Sequence, residues 1–213
     1  MLAVVAVLAT AGAAGARTVV MIPNLAELHA SPGGPLLLGG GHVLTEIGTA
    51  WVVRRQGGWL GIPTLQRRGG VLAWIRATRD RRLASTRLLV RVDLSERRVR
   101  VTHGARDLMS ASVAIGAPRS PTPLASTSVS ARIAVTPSSG YSTRGFGPMI
   151  VALRLWQPLA SPGLPQGGIV AFHGGDDQRV GAASTGGCIG MRNADVRRLA
   201  RYVRAGTPVI IRP

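Results

Sequence analysis

Cys188 is the only cysteine of the chain, and it stands in Thr185-Gly186-Gly187-Cys188-Ile189-Gly190-Met191-Arg192-Asn193. His173 lies 15 residues upstream, in Ala171-Phe172-His173-Gly174-Gly175. A lone thiol forms no intramolecular disulfide, and one on a glycine-rich turn with a histidine within folding reach is a candidate nucleophile. Cysteine chemistry needs a thiolate, a proton shuttle and donors for an oxyanion. The charged form of His173 would stabilise the thiolate, and the same ring would protonate a leaving amine. The N–H groups of Gly187 and Cys188 would meet the developing negative charge, with Gly186 as a third donor. No Asp or Asn is an obvious third member, so a backbone carbonyl near Gly174 or Gly175 is expected to orient the imidazole. A buried structural cysteine beside a satisfied histidine would give the same pattern. Zinc is disfavoured, since His29, His42 and His103 are isolated and there is no second cysteine. Asp176 and Asp177 read as loop residues rather than ligands. No cofactor is expected.

The elements around this pair read as a strand, a turn and a helix. Ile169-Val170-Ala171-Phe172 reads as a buried strand delivering His173 to its end. Asn193 is the expected N-cap of the next helix, with Asp195 in its first turn. Val196, Leu199, Ala200 and Val203 make an apolar stripe, Arg201 and Arg204 fall in the last turn, and Gly206 follows as a C′ residue. Thr207-Pro208-Val209-Ile210-Ile211 then returns as a strand. Upstream, residues 87–94 and 97–101 alternate in the strand manner around Ser95-Glu96 and predict a hairpin, with 111–116 as a third strand. Residues 137–148 and 157–168 read as loops.

Charge bounds the partners. The net charge is +17, and all 26 basic residues are arginine. Arginine suits carboxylates and phosphates, although a chain without lysine also fits a simple compositional bias. Aromatic residues are only 4% and the arginines are scattered, so nucleic-acid binding is ranked low. Residues 1–16, MLAVVAVLATAGAAGA, read as an export signal or truncated anchor without its positive region. A buried apolar N-terminal element is the other reading. Residues 17–84 carry short apolar runs, including Val43-Leu44, between glycine-rich turns and predict a small all-β unit. The segment 24–77 weakly resembles a bacterial SH3-like domain, a type that often binds cell-wall peptides. Trp51, Trp59 and Trp74 are expected to be core. The boundary is placed at residue 85 after Arg79-Asp80-Arg81-Arg82.

Taken together, His173-Gly174, the run from Thr185 to Val196, Leu199 and Gly206-Thr207-Pro208-Val209 resemble the catalytic signature of L,D-transpeptidases. Phe146-Gly147-Pro148 is similar to the family's aromatic-Gly-Pro segment, and Gly116 through Thr122-Pro123 to its Gly…Thr-Pro loop. The resemblance covers residues 86–213, about 60% of the chain. It implies a mainly β sandwich with one C-terminal helix, from 85 to 213, in the cell envelope. It further implies cross-linking of peptidoglycan stem peptides through a Cys188 thioester with His173 as base, and carbapenem-type β-lactams as covalent inhibitors. Arg192, Gly174 and Asn193 would contact substrate. The chain departs from the family at Gly186, where many members carry a second histidine, at Gly190, where an arginine is usual, and at Leu124-Ala125 in place of Thr-Gly. Two other readings follow from these departures: a catalytically weakened wall-binding protein, and an L,D-carboxypeptidase that uses water as acceptor.

Overall fold

The computed structural model describes residues 15–23, 26–38, 48–159, 167–175 and 179–213. The expected export segment at 1–16 therefore lies almost wholly outside the described residues, as do Val43-Leu44, His42, Asp176 and Asp177. Among the described residues, no helix is long and apolar enough to cross a membrane.

The first part of the chain is all β, as its punctuated apolar runs predict. Its strands are β1 (Arg17–Ile22), β2 (Leu28–His29), β3 (Leu36–Leu38), β4 (Gly48–Trp51), β5 (Arg54–Gln56), β6 (Trp59–Pro63), β7 (Leu72–Arg76) and β8 (Leu83–Thr86). They form one sheet in the order β4-β1-β8 and another in the order β3-β2-β7-β6-β5. The two share a core of Val20, Ile22, Leu28, Leu60, Ile62 and Ile75. Trp51, Trp59 and Trp74 are all buried, so they pack this unit and present no exposed binding face. Because β8 pairs with β1 as far as Thr86, this sheet runs just past the expected boundary.

The second part begins with β9 (Leu88–Asp93), β10 (Arg98–His103), β11 (Arg106–Ser112), β12 (Ile115–Gly116) and β13 (Ala125–Ala134). The short α1 (Thr143–Phe146) precedes β14 (Met149–Gln157), β15 (Gly168–His173), β16 (Ala183–Thr185) and β17 (Ile189–Gly190). Helix α2 (Asn193–Tyr202) and β18 (Pro208–Arg212) complete it. Eight strands form one sheet in the order β11-β10-β9-β18-β13-β14-β15-β17. The predicted hairpin is β9–β10, paired from Arg98 opposite Asp93 to His103 opposite Leu88. The predicted third strand instead divides: β11 runs from 106 to 112 and pairs with β10, and β12 leaves to pair with β16.

Alternation along these strands separates two faces. Val90, Val92, Val151, Leu153, Phe172 and Ile189 point inward, where Val196, Leu199, Ala200 and Val203 of α2 close the core. The predicted helical stripe is therefore the buried face. Its caps differ from expectation. Arg192 takes the N-cap position with extended backbone (φ −62, ψ 147), which makes Asn193 the first helical residue. At the other end the helix stops at Tyr202 because Val203 is extended (ψ 155), so Arg204 lies outside it. Gly206, at φ +85, serves a later turn in which Thr207 N–H donates to Arg204 C=O at 2.9 Å. A side chain at Gly206 would also strike Thr49 of the first unit, 2.4 Å from a Cβ. The units meet again where Trp51 N–H donates to Ser128 Oγ at 3.3 Å.

Leu153 is fully buried at the centre of the second core. Leu153→Ala is expected to cost about 2–5 kcal/mol in urea unfolding, whereas Leu36→Ala, at a 52% exposed position, is expected to stay within about 0.5 kcal/mol.

Candidate active site

The site is built on the outer face of the same sheet. Strands β15 and β17 are parallel, with Phe172 opposite Ile189 and His173 opposite Gly190. Phe172 and Ile189 are both fully buried in the inner core. One step along each strand reverses the side chain, so Ala171, His173 and Cys188 share the outer face. Cys188 follows the register of Ala171, two residues before His173 on β15, so the two side chains are diagonal on that face. Cys188 packs with Ala171, Ile150, Val135 and Phe146 in a small apolar cluster. The ring of Phe146 meets His173 edge-on, with centroids 5.2 Å apart. His173 and Cys188 thus stand on the same face of one sheet.

His173 is 8% exposed, and its Nδ1 lies 2.7 Å from the Gly174 carbonyl. A carbonyl oxygen only accepts, so Nδ1 carries the proton and the neutral ring leaves its lone pair on Nε2. The expected backbone orienter is Gly174 C=O. Burial pushes the imidazole below its ordinary pKa, against a smaller upward pull from the Gly174 bond. Burial likewise pushes the Cys188 thiol up, opposed by the Ala171 backbone. Both shifts favour neutral partners. Burial thus weighs against the thiolate–imidazolium pair expected from the sequence, by penalising each charge. The half-buried thiol lies 3.8 Å from Ile169 C=O.

The glycines of the motif are explained by what crowds them. Asn193 does not cap α2; its Oδ1 accepts from Gly175 N–H at 3.0 Å. That bond ties the loop after His173 to the start of the helix. A Cβ at Gly174 would sit 2.1 Å from this oxygen, and one at Gly147 would sit 2.3 Å from it. Gly147 is also at φ +64, which glycine tolerates best. Gly116 is closed in similarly by Ser120 and Thr122, and its N–H donates to Thr122 Oγ1 at 2.9 Å.

The cysteine turn is held by Thr185, whose hydroxyl donates to Cys188 C=O at 2.6 Å and accepts from Gly187 N–H at 3.2 Å. The Thr185 carbonyl in turn accepts from Ala117 N–H at 2.8 Å, joining the turn to the loop after β12. The Gly187 amide thus already has a partner, which an oxyanion would have to share or displace. Gly186 is half-buried and Gly187 buried. Gly190, at the position where an arginine is usual in the resembled family, is locked by two backbone bonds to Ala114, at 2.8 and 2.9 Å. Arg192 has an exposed side chain, and its carbonyl accepts from Asp195 and Val196 N–H at 2.9 and 3.0 Å.

Gln157 was missed by sequence reasoning. It is a 4% exposed polar residue that packs against Gly187. Its signal was a lone amide closing an apolar strand, just before Pro158. Among the described residues, no group of three or more His, Cys, Asp or Glu side chains is placed to hold a metal. His29 sits far off in the first unit, its Nδ1 2.8 Å from Gly34 C=O and its ring edge-on to Trp59.

Comparison with known proteins identifies the family. The family model for the L,D-transpeptidase catalytic domain matches residues 87–211. No curated protein matches the chain. Among solved structures, the chain is similar to the Bd1075 protein of Bdellovibrio bacteriovorus, at 19% identity and a TM-score of 0.46, covering 60% of this chain and 47% of that one. It is similar to an L,D-transpeptidase from Mycobacterium smegmatis at 16% identity and a TM-score of 0.47, covering 76% and 80%. A third is L,D-transpeptidase 3 of Mycobacterium tuberculosis in complex with a faropenem-derived adduct, at 16% identity and a TM-score of 0.44, covering 67% and 73%. The chain thus spans about half of the first of these proteins and most of the other two. With the family model covering more than half of its length, the chain belongs to the L,D-transpeptidase catalytic domain family.

Proposed function

We propose that the protein is a peptidoglycan L,D-transpeptidase that works by a Cys188 thioester. The observation that carries this reading is the anchored imidazole: Nδ1–H is spent on Gly174 C=O, which leaves Nε2 free to act as a base, and His173 and Cys188 stand on the same face of the sheet. In the first half-reaction Nε2 takes the thiol proton as sulfur attacks the carbonyl carbon after the third stem residue. The oxyanion is met by the Cys188 and Gly186 amides, with Gly187 joining when its Thr185 contact opens. Imidazolium then gives its proton to the departing D-Ala amine, and the thioester remains. In the second half-reaction His173 removes a proton from the acceptor amine. Attack on the thioester forms the new amide, and the thiol recovers its proton.

Arg192, Gly174 and Asn193 are proposed to border the stem. Gly174 and Asn193 would do so through the backbone of the loop that Asn193 holds, and Arg192 through its exposed guanidinium, which suits a stem carboxylate. Export to the cell envelope and wall attachment through residues 17–84 are proposals of the same reading. The buried tryptophans give that unit no aromatic platform for a ligand.

The test is covalent capture. Incubation with a carbapenem is expected to shift the intact mass by one adduct, and Cys188→Ala to abolish it. His173→Ala is expected to slow acylation by about 10²- to 10⁴-fold. No adduct on the wild type, under conditions that label another family member, favours a wall-binding protein. With tetrapeptide stems, cross-linked dimer is expected; free tripeptide alone would mean that water is the acceptor.

The neutral pair also fixes the pH behaviour. Alkylation of Cys188 by iodoacetamide is expected to accelerate with pH up to and beyond the ordinary thiol value of about 8.5, since the thiol is pushed up. Carbapenem acylation is expected to fall only below the ordinary histidine value of about 6.5, because the His173 imidazole is pushed down and stays a free base above it. An alkylation rate already level below pH 7 would mean a resting ion pair.

A further inference from the structure

Gln157 ends β14 with its side chain turned into the protein rather than to water. Its Nε2 donates to the Pro121 carbonyl, and its Oε1 accepts from Leu159 N–H at 3.1 Å. The amide orientation follows from these partners, since a carbonyl can only accept and a backbone N–H can only donate. The same side chain walls the cysteine turn: a Cβ on Gly187 would lie 2.7 Å from Nε2 and 3.0 Å from Cγ. Gly187 is at φ +111, so the turn takes a shape that glycine tolerates and Gln157 presses against it. Three segments therefore meet at one buried amide: the loop from 117 to 123, the chain leaving β14, and the Gly186–Cys188 turn.

From this geometry we infer that Gln157 is a positioning residue for acyl transfer. It sets the Gly187 and Cys188 amides, and with them the oxyanion donors, against the 117–123 loop. The inference rests on Cys188 being the nucleophile. Thr185 holds the turn from within by its hydroxyl. Gln157 borders it from the end of β14, one strand beyond β15, so losing the amide would leave the thiol in place while letting the donors drift. A misplacement of about 1 Å in such a site costs up to about 10²-fold in rate.

The experiment compares three readouts on the full chain. In Gln157→Leu, which keeps the bulk and removes both bonds, carbapenem acylation is expected to fall by about 10- to 100-fold. Iodoacetamide alkylation of Cys188 is expected to stay within about twofold, since a small reagent needs no oxyanion donors. Amide exchange over residues 185–189 is expected to quicken by about tenfold or more. Gln157→Glu keeps the acceptor and regains the donor only when protonated. Its acylation relative to wild type at the same pH should therefore decline as the carboxyl ionises. If Gln157→Leu fails to fold, this pH-dependent ratio carries the test. Unchanged acylation and exchange in Gln157→Leu, or equal losses in acylation and alkylation, would overturn the positioning role. So would a pH-independent ratio in Gln157→Glu. A wild type that takes no carbapenem would instead refute the transpeptidase reading, and the exchange rates would still decide whether Gln157 holds the turn.

Discussion

Parallel pairing of β15 with β17 is the constraint from which the site follows. Two strands separated by a turn-rich segment come back side by side, with His173 opposite Gly190 and Phe172 opposite Ile189. Phe172 and Ile189 bury their side chains completely, and this fixes the register: a slip of one residue would turn one of them to the outer face. The alternation of a strand then leaves His173 and Cys188 together outside. The placement of His173 and Cys188 on one face is thus a consequence of core packing, as firm as the burial of two large apolar residues.

The surroundings of His173 and Cys188 favour their neutral forms. The Phe146 ring covers one edge of His173 and an apolar cluster flanks the half-buried Cys188, and this partial burial raises the cost of charge on both partners. The Gly174 carbonyl determines which ring nitrogen holds the proton. The Asn193 side chain determines where that loop lies, through its bond to Gly175. In the proposed mechanism such a site would form its charges only during attack, where backbone dipoles can meet them.

Much of this was legible in the sequence. The 3.6-residue stripe of α2 and the alternation of β9 and β10 are local signals, and they located those elements well. Cys188 and His173 stood out as candidates from residue types and from resemblance, and their shared sheet face follows from the register of β15 and β17. The less legible features depend on contacts between distant segments. Asn193 has the residue type of a cap, but Gly175 competes for its oxygen and Arg192 takes the cap position instead. The two longest strands, β13 and β14, pass through Thr- and Ser-rich sequence and a buried Arg154, so their periodicity was masked. Gln157 gives no motif at all; its importance comes from Pro121 and Gly187, 36 and 30 residues away in sequence.

The most direct measurement of the account is the protonation state of the His173 ring nitrogens, read by nitrogen-15 NMR of the resting protein at neutral pH, with Cys188→Ala as the reference. The account predicts a neutral ring in both proteins, protonated at Nδ1 and bare at Nε2. An imidazolium with both nitrogens protonated in the wild type, reverting to neutral in Cys188→Ala, would contradict it and establish a resting thiolate–imidazolium pair.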